Sequence, residues 1–464
     1  MMNWSTPTRV RGQRTLSIIP NELYLEIIDY IDHAVDITPQ DRERTLSSFA
    51  LVCRLFSAVA VPRIFRSIYI GDTASDRPTA RGAKFCRAIA QGKEPAASLA
   101  SHVRECTLIS WGAAAFIIRR GSLPDKHYVK AIRGVKTLTS LTLHLSSICD
   151  DVAEVKNISP LPLKKFSFIL NSSAPLPDHH ADFIIRLVGT GTLETLAAFH
   201  WPMTKRLLLQ VQESVLARLE LYDAHSCAVL WNALQRCRSL KTLRIHTLRG
   251  TEELIPVLPS SSVPNLRHLL CPPSMLNMVP RRLLVTLDLS GRQVSDNART
   301  SPPLMSLSDV SLLKQSSREI SKLRVPSHLL FIAPPAEHFP SVSELHIDCN
   351  HLNYDNRSMA SGAALTEFIE KLLQSSAGLP EELDWSADLK LQHGLLPRFR
   401  IVFPNLTYVQ FVEMVEWRRE LASDVWTGRI PPGYDLVVRS VLPRLRPAAI
   451  KDIDGIFARL VQVE

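Results

Sequence analysis

The stretch Val342-Ser-Glu-Leu345-His-Ile347-Asp-Cys-Asn350-His-Leu352 contains the pattern that decides the fold. Its apolar residues follow the order apolar-x-x-apolar-x-apolar, and an asparagine comes three residues after the last of them. Residues 345 and 347 are two positions apart, which is the spacing along one face of a β-strand. The asparagine side chain can hydrogen-bond backbone groups of an adjoining turn. The stretch therefore predicts a short strand that leads into a tight turn.

The same pattern recurs along most of the chain. Between residues 141 and 287, the middle apolar residues of successive copies are 18 to 30 positions apart. The strong copies are Leu138/Leu141/Leu143, Leu163/Phe166/Phe168, Leu193/Leu196/Ala198, Leu216/Leu219/Leu221, Leu240/Leu243/Ile245, Leu284/Leu287/Leu289, Ile320/Leu323/Val325, Val342/Leu345/Ile347 and Leu406/Val409/Phe411. The weaker copies are Val103/Cys106/Leu108 and Leu266/Leu269/Cys271. The pattern and its period resemble the leucine-rich repeat, whose copies span about 20–29 residues.

Helical patterns lie between the strands, at residues 183–188, 228–237 and 365–373. We therefore predict an α/β fold, a leucine-rich-repeat solenoid with a curved parallel sheet and helices on its convex side. A doubly wound α/β domain also alternates strands and helices, but the intervals here are too short and too even. Two gaps are longer. The first is interpreted as a polar insertion at 292–317, and the second as a degenerate repeat near Leu383.

A different helical pattern precedes the repeats, in residues 16–70. Leu23, Ile27 and Ile31 have the spacing of one helix face, and Pro20 suits a first helical turn. Residues 36–44 are polar and predict a loop. Residues 45–60 are apolar on most of their circumference and predict one buried helix, which Val61-Pro62 would end. Residues 64–70 then predict an extended segment.

This segment resembles an F-box in Ile19-Pro20-Asn21-Glu22-Leu23, Ile27, Tyr30 and Leu51-Val52-Cys53-Arg54-Leu55-Phe56. It departs from the family in Ile19, where leucine is usual, and in its longer polar loop. The resemblance implies a three-helix module that docks on the adaptor subunit of an SCF-type ubiquitin ligase. The implied adaptor-binding residues are Ile19, Pro20, Leu23, Ile27, Leu51, Val52, Cys53 and Phe56. The alternative is that these helices only cap the repeats.

The residues between the buried apolar positions should point to the concave face of the sheet. They include Thr142, His144, Lys165, Phe199, Arg218, Glu220, Tyr222, Arg244, His246, Asp288, Arg324, Glu344, His346, Asp348 and Tyr408. We predict that a target protein binds Phe199, Arg218, Tyr222, Arg244, His246, Glu344 and His346. Phe199 and Tyr222 are the preferred anchors, because desolvated aromatic side chains often dominate binding energy.

Composition argues against several other classes of protein. The chain has 54 Lys+Arg and 45 Asp+Glu, a net charge of +9, without a run of five basic residues, so we predict no nucleic-acid partner. Its longest apolar stretch is about seven residues, against the ~20 that span a bilayer, so we predict no membrane association. The 8 cysteines form no Cys-x-x-Cys pair and predict free thiols in the cytoplasm or nucleus.

No catalytic motif is present, such as a P-loop, Gly-x-Ser-x-Gly or His-Glu-x-x-His. We predict that the chain is not an enzyme and needs no cofactor or metal. The cluster His346, Asp348, Cys349 and His351 is explained by the repeat pattern. Gly189-Thr-Gly191 predicts a helix C-cap and turn, and Asp178 predicts a helix cap.

The predicted organisation has four parts: a disordered basic tail at 1–15, an F-box at 16–70, repeats at 71–412 and a C-terminal cap at 413–464. A mitochondrial presequence is the alternative for the tail. The chain as a whole resembles fungal F-box proteins with degenerate leucine-rich repeats. That resemblance implies a substrate-recognition subunit of an SCF-type ligase. The alternative is a repeat scaffold with no ubiquitin role.

Overall fold

The computed structural model describes seventeen segments of the chain, which belong to two compact units with the chain boundary between Leu193 and Glu194. The described residues are 21–34, 39–71, 79–111, 125–145, 160–170, 178–212, 215–250, 258–259, 261–278, 283–294, 319–326, 340–348, 392–397, 399–400, 403–412, 415–420 and 424–430. Each unit combines helices with a mostly parallel sheet, which confirms the predicted α/β class.

The first unit has helices before, between and after its strands. The helices are α1 (Asn21–His33), α2 (Pro39–Ala50), α3 (Arg54–Ile64), α4 (Thr79–Ala90), α5 (Ala96–Ala100), α6 (Asp125–Gly134) and α7 (Asp178–Val188). The strands are β1 (Ser67–Gly71), β2 (Glu105–Trp111), β3 (Ser140–Leu145) and β4 (Lys165–Leu170). Neighbouring strands pair in parallel in chain order, from β1 to β4.

The second unit contains the helices α8 (Trp201–Leu208) and α9 (Ala228–Arg236), and residues 392–397 are also helical. Its strands are β5 (Thr195–Ala198), β6 (Arg218–Leu221), β7 (Ala224–His225), β8 (Thr242–Ile245), β9 (Thr247–Arg249), β10 (His268–Leu270), β11 (Thr286–Asp288), β12 (Arg292–Val294), β13 (Lys322–Pro326), β14 (Glu344–Asp348), β15 (Tyr408–Val412), β16 (Val415–Arg419) and β17 (Trp426–Arg429). The main sheet runs β5-β6-β8-β10-β11-β13-β14-β15 in parallel, and β16 and β17 then join antiparallel. Strands β7, β9 and β12 form a small separate parallel sheet.

Every predicted copy of the apolar pattern lies at a strand of these sheets. The first apolar residue of a copy comes two positions before its strand, and the middle residue lies within it. In the second unit the middle residues pair across neighbouring strands, in the order Leu196, Leu219, Leu243, Leu269, Leu287, Leu323, Leu345 and Val409. All of them are buried, so a continuous apolar row holds the strands in register.

The three N-terminal helices pack around a small core of Ile28, Leu46 and Ala60. The prediction of one helix over residues 45–60 is wrong. Helix α2 ends with turn hydrogen bonds from the Leu51 and Val52 N–H groups, and Cys53 is extended before α3 begins. Both flanking segments are apolar, so the periodicity alone did not reveal the break.

Two further boundaries differ from the prediction. The polar segment 36–44 was predicted to be a loop, but α2 already begins at Pro39, which fits a first turn because its missing N–H is unpaired there anyway. Helix α3 runs through Pro62 to Ile64, because the proline lies in the last turn, where the Phe65 N–H still bonds the Val61 carbonyl at 3.1 Å. The extended segment accordingly begins only at Ser67.

The predicted helices at 183–188 and 228–237 are confirmed in α7 and α9. The helix at 365–373 lies outside the described residues. The degenerate repeat predicted near Leu383 falls in the same undescribed interval, and the strands on either side of that interval, β14 and β15, pair directly with each other. Leu383 itself, the tail at 1–15 and residues 431–464 also lie outside the described residues. The domain boundaries stay predictions.

A glycine after β11 allows three backbone segments to approach one another. A Cβ atom on Gly291 would lie 2.5 Å from the Cys271 carbonyl carbon, 2.5 Å from the Pro272 nitrogen and 2.7 Å from the Ile245 oxygen. All three are backbone atoms, so no side-chain rotation can relieve the overlap. Only glycine fits at this position.

We expect Gly291→Ala to lower the free energy of unfolding by about 1–3 kcal/mol, the usual cost of overpacking a close contact. Chemical denaturation of the full chain measures this loss. Gly394→Ala is the matched control, because Gly394 lies in the helical segment 392–397 with nothing within 4 Å of its added Cβ, and alanine favours helix. Equal stability of the two variants would contradict the close approach at Gly291.

Candidate protein-binding surfaces

Helix α1 and the turn between α2 and α3 expose large apolar side chains. On α1, Leu23 is 46% exposed and Ile27 is 47% exposed. In the turn between α2 and α3, Leu51 is 88% exposed and Val52 is 66% exposed. Large apolar groups held in water carry a cost that burial against a partner removes, so concentrations of them typically mark interaction sites.

The other residues predicted for adaptor binding lie in different environments. Cys53 is exposed beside Val52. Phe56 is only half-buried, but it packs into the module's own core, with its ring 5.1 Å from Tyr24 and 5.4 Å from Phe49 in edge-to-face contacts. Ile19 and Pro20 lie outside the described residues.

Helix α1 also exposes two apolar residues that the predicted set omitted. Tyr30 is 72% exposed and Leu25 is 39% exposed. Leu23, Ile27 and Tyr30 follow the spacing i, i+4, i+7, so they share one side of the helix. That spacing was visible in the sequence and could have added Tyr30 to the set.

Five polar or aromatic side chains meet on one face of the main sheet in the second unit, which we call the polar face. Leu219 and Leu221 of β6 point into the core, so Arg218 and Glu220 point to the opposite side. The Glu220 cluster consists of Glu220 together with Arg218, Tyr222, Arg244 and His246.

Glu220 is the centre of this cluster and is only 6% exposed. Arg218 Nη2 and the Tyr222 hydroxyl each donate a hydrogen bond of 2.8 Å to its carboxylate. His246 Nε2 lies 3.3 Å and Arg244 Nη1 lies 3.7 Å from the carboxylate oxygen Oε1. Four of the residues predicted for target binding thus surround one carboxylate. The sequence analysis placed Glu220 on this face but did not predict that the other four side chains contact it.

The aromatic rings of this region form a stack across three strands. Phe199, Tyr222 and His246 each follow directly after their strands β5, β6 and β8. The centroids of Phe199 and Tyr222 are 3.4 Å apart, those of Tyr222 and His246 are 4.3 Å apart, and the planes are within 10° of parallel. The backbone holds this spacing, because the Tyr222 N–H bonds the Ala198 carbonyl and the His246 N–H bonds the Leu221 carbonyl.

The interactions within the Glu220 cluster shift the pKa values of Glu220 and Tyr222. The hydrogen bond from His246 is the largest effect on the pKa of Glu220, and with Arg218, Tyr222 and Arg244 it holds that pKa well below its usual range although burial opposes it. Burial, followed by the hydrogen bond and negative charge of Glu220, raises the pKa of Tyr222 to about 12. Glu220 is therefore an anion at neutral pH, and Tyr222 is protonated.

The two remaining predicted residues, Glu344 and His346, lie on β14, away from the Glu220 cluster. Glu344 Oε1 is 2.7 Å from Lys322 Nζ, and His346 Nδ1 is 2.7 Å from Gln410 Oε1. Burial lowers the pKa of His346. The structure thus brings five of the seven predicted target-binding residues together and places two at a separate point of the same sheet.

The other sites considered in the sequence have structural explanations where they are described. Gly189 follows α7 with φ of 57° and leads into a 3₁₀ turn, as predicted for a C-cap. Asp178 lies within the first turn of α7. Cys86, Cys106 and Cys271 are buried free thiols, in agreement with the prediction, and Cys237 is also buried. Cys149, Cys349 and His351 lie outside the described residues.

Among the described helices, none has the length and apolar character needed to cross a membrane. Within the same residues, no group of three or more histidine, cysteine or acidic side chains is arranged to hold a metal ion. Neither the models of known protein families nor the curated proteins contain a match to this chain.

We expect Glu220→Gln to lower the free energy of unfolding by about 1.5–3 kcal/mol at pH 7, the range for hydrogen bonds to a charged group. The folded pKa of Glu220 lies below the unfolded value of about 4.3, so this contribution is complete above that value and disappears as pH falls from it. Denaturation from pH 7 to pH 2 measures the difference between wild type and variant. Glu319→Gln is the control, because the 3.7 Å pair of Glu319 with Arg267 is exposed. A Glu220→Gln effect that does not change with pH would contradict the low folded pKa.

Proposed function

We propose that the chain is a non-catalytic substrate-recognition subunit of an SCF-type ubiquitin ligase. In this proposal the N-terminal helices are an F-box that binds the ligase adaptor, and the strands are leucine-rich repeats whose polar face binds a target protein. The observation that carries the proposal is the exposure of Leu23, Ile27, Leu51 and Val52 at positions of the F-box pattern.

The adaptor side of the proposal is supported by how the module divides its apolar residues. Ile28, Leu46 and Ala60 satisfy its own core, so the exposed leucine, isoleucine and valine side chains are not needed there. Apolar anchors on a helix that enter a groove of the partner are a common mode of recognition. Each large anchor contributes roughly 1.5–3 kcal/mol when fully buried.

The target side is supported by the Glu220 cluster. Tyrosine and arginine are enriched among the residues that dominate binding energy, and here they are fixed in place by one carboxylate. A bound target would be held near a ubiquitin-charged enzyme elsewhere in the complex. The acceleration would come from proximity, so this chain would need no reacting group of its own.

The second candidate is a repeat scaffold with no ubiquitin role, in which the helices only cap the sheet. One observation favours it. Helix α3 leads directly into β1, the strand at the start of the first unit's sheet, and β1 pairs with β2 alone among the described strands. A terminal element that covers the end of a repeat array is expected at that place.

We expect Leu51→Asp to weaken binding to the recombinant SCF adaptor by about 100-fold or more, because a carboxylate in an apolar groove is strongly unfavourable. Leu51 is 88% exposed, so the variant should fold as the wild type does. Titration calorimetry with the full chain gives the two affinities. Leu209→Asp is the matched control, since Leu209 is 57% exposed and lies just after α8 in the second unit.

Two results would count against the ligase role. Failure of the folded wild-type chain to bind the adaptor would exclude the F-box function and leave the scaffold. Binding that survives both Leu51→Asp and a Leu23→Asp/Ile27→Asp variant would show that the adaptor contacts a different surface.

A further inference from the structure

A second buried glutamate organises the far end of the polar face. Glu416 of β16 is 5% exposed. The Tyr408 hydroxyl donates a hydrogen bond of 3.0 Å to Glu416 Oε2, Arg418 Nε lies 3.4 Å from Oε1, and Arg429 forms an ion pair with the same oxygen. We call these four residues the Glu416 cluster.

The strand register places this cluster on the polar face. Glu344 of β14 is paired with Tyr408, Tyr408 with Arg418, and Glu416 with Arg429. Paired residues of neighbouring strands point to the same side of a sheet. The same register links Glu344 back through Lys322, Thr286, His268 and Thr242 to Arg218.

The two clusters share most of their chemical groups. Each contains one buried glutamate, a tyrosine hydroxyl that donates to it, and two arginines. Each also has a histidine beside the tyrosine ring: the centroids of His246 and Tyr222 are 4.3 Å apart, and those of His346 and Tyr408 are 5.1 Å apart. No pattern in the sequence connects them, because one cluster comes from parallel strands and the other from the antiparallel end of the sheet.

Both clusters hold their arginines ready for an anion. The side chains of Arg218 and Arg244 are each 43% exposed, and those of Arg418 and Arg429 are 53% and 50% exposed. Two guanidinium groups around one carboxylate leave a surplus positive charge in each cluster. A guanidinium has five N–H donors, so groups already positioned by a glutamate keep donors for a carboxylate or phosphate from outside.

The surface between the clusters is close to neutral. Lys322 pairs with Glu344 at 2.7 Å, and the neighbouring row carries Asp288 next to Arg324. The surplus charge is therefore concentrated at two separate points of one face. A partner with a single anionic group would use only one of them.

Resting on the proposed function, we infer that the target is recognised through an extended segment that crosses the strands and carries two anionic side chains, one for each cluster. From Arg244 on β8 to Arg418 on β16 there are six steps between strands. At about 4.8 Å a step this is about 29 Å along the sheet. An extended chain advances about 3.3 Å per residue, so the two anionic side chains are separated by roughly nine residues.

The test uses labelled 16-residue peptides of neutral polar sequence, each with two glutamates or two phosphoserines separated by three to twelve residues. Fluorescence anisotropy with the full chain measures their binding. We expect affinity to peak near a separation of nine, at least about tenfold above a separation of three, because both ends then bind at once. The glutamate and phosphoserine series show which anion the clusters prefer.

Arginine variants then assign each end of the peptide. Arg244→Gln and Arg418→Gln should each weaken the nine-spaced peptide by about three- to tenfold, and each should leave a single-anion peptide able to bind at the other cluster. Arg236→Gln on α9 is the control, because Arg236 belongs to a helix and lies in neither cluster. Thermal unfolding of the variants confirms that they fold.

The inference is overturned if affinity does not depend on the separation, if no peptide binds, or if Arg236→Gln weakens binding as much as the cluster variants. Each of these results is independent of the adaptor experiment. A chain that binds the adaptor but shows no preferred separation keeps the proposed function and loses this inference. A chain that selects the nine-spaced peptide but not the adaptor loses only the ligase role.

Discussion

The main sheet depends on one interaction, the burial of a single apolar residue in the middle of each strand against the equivalent residue of the next. Leu219 packs between Leu196 and Leu243, and the series continues to Val409. A slip of one residue would turn these side chains to the opposite surface, so the row fixes the register. The positions on either side of each buried leucine are thereby fixed as well, and the polar face follows from the core.

The two buried glutamates show how such a face holds charge out of water. A carboxylate that is 5–6% exposed would be strongly unfavourable alone, but here each accepts hydrogen bonds from tyrosine and contacts two arginines. The arginine side chains nevertheless remain 43–53% exposed. The same arrangement thus buries the glutamate of each cluster and leaves its arginines partly exposed.

The sequence predicted the strands well and the helices and clusters less well. From β2 to β15, the apolar pattern occurs at every described strand except β7, β9 and β12, which form the small separate sheet. The buried face imposes the same spacing each time. The break at Leu51-Val52-Cys53 was not visible, since both neighbouring segments are apolar. Glu220 was placed on the correct face, but its role depends on neighbours 24 and 26 residues away, Arg244 and His246. Glu416 was missed because an antiparallel turn, not a repeat, brings Arg418 beside Tyr408.

Strands β14 and β15 are neighbours in the sheet although 59 residues separate Asp348 from Tyr408. The entropic cost of closing such an interval rises slowly, by about 0.6 kcal/mol for each doubling of its length. The stability of the sheet therefore places little constraint on the length of this interval. Among related chains we expect insertions and deletions to accumulate there, while the residues on both sides of it stay aligned. A sequence alignment that allows no gaps in this interval would therefore underestimate the similarity of related chains.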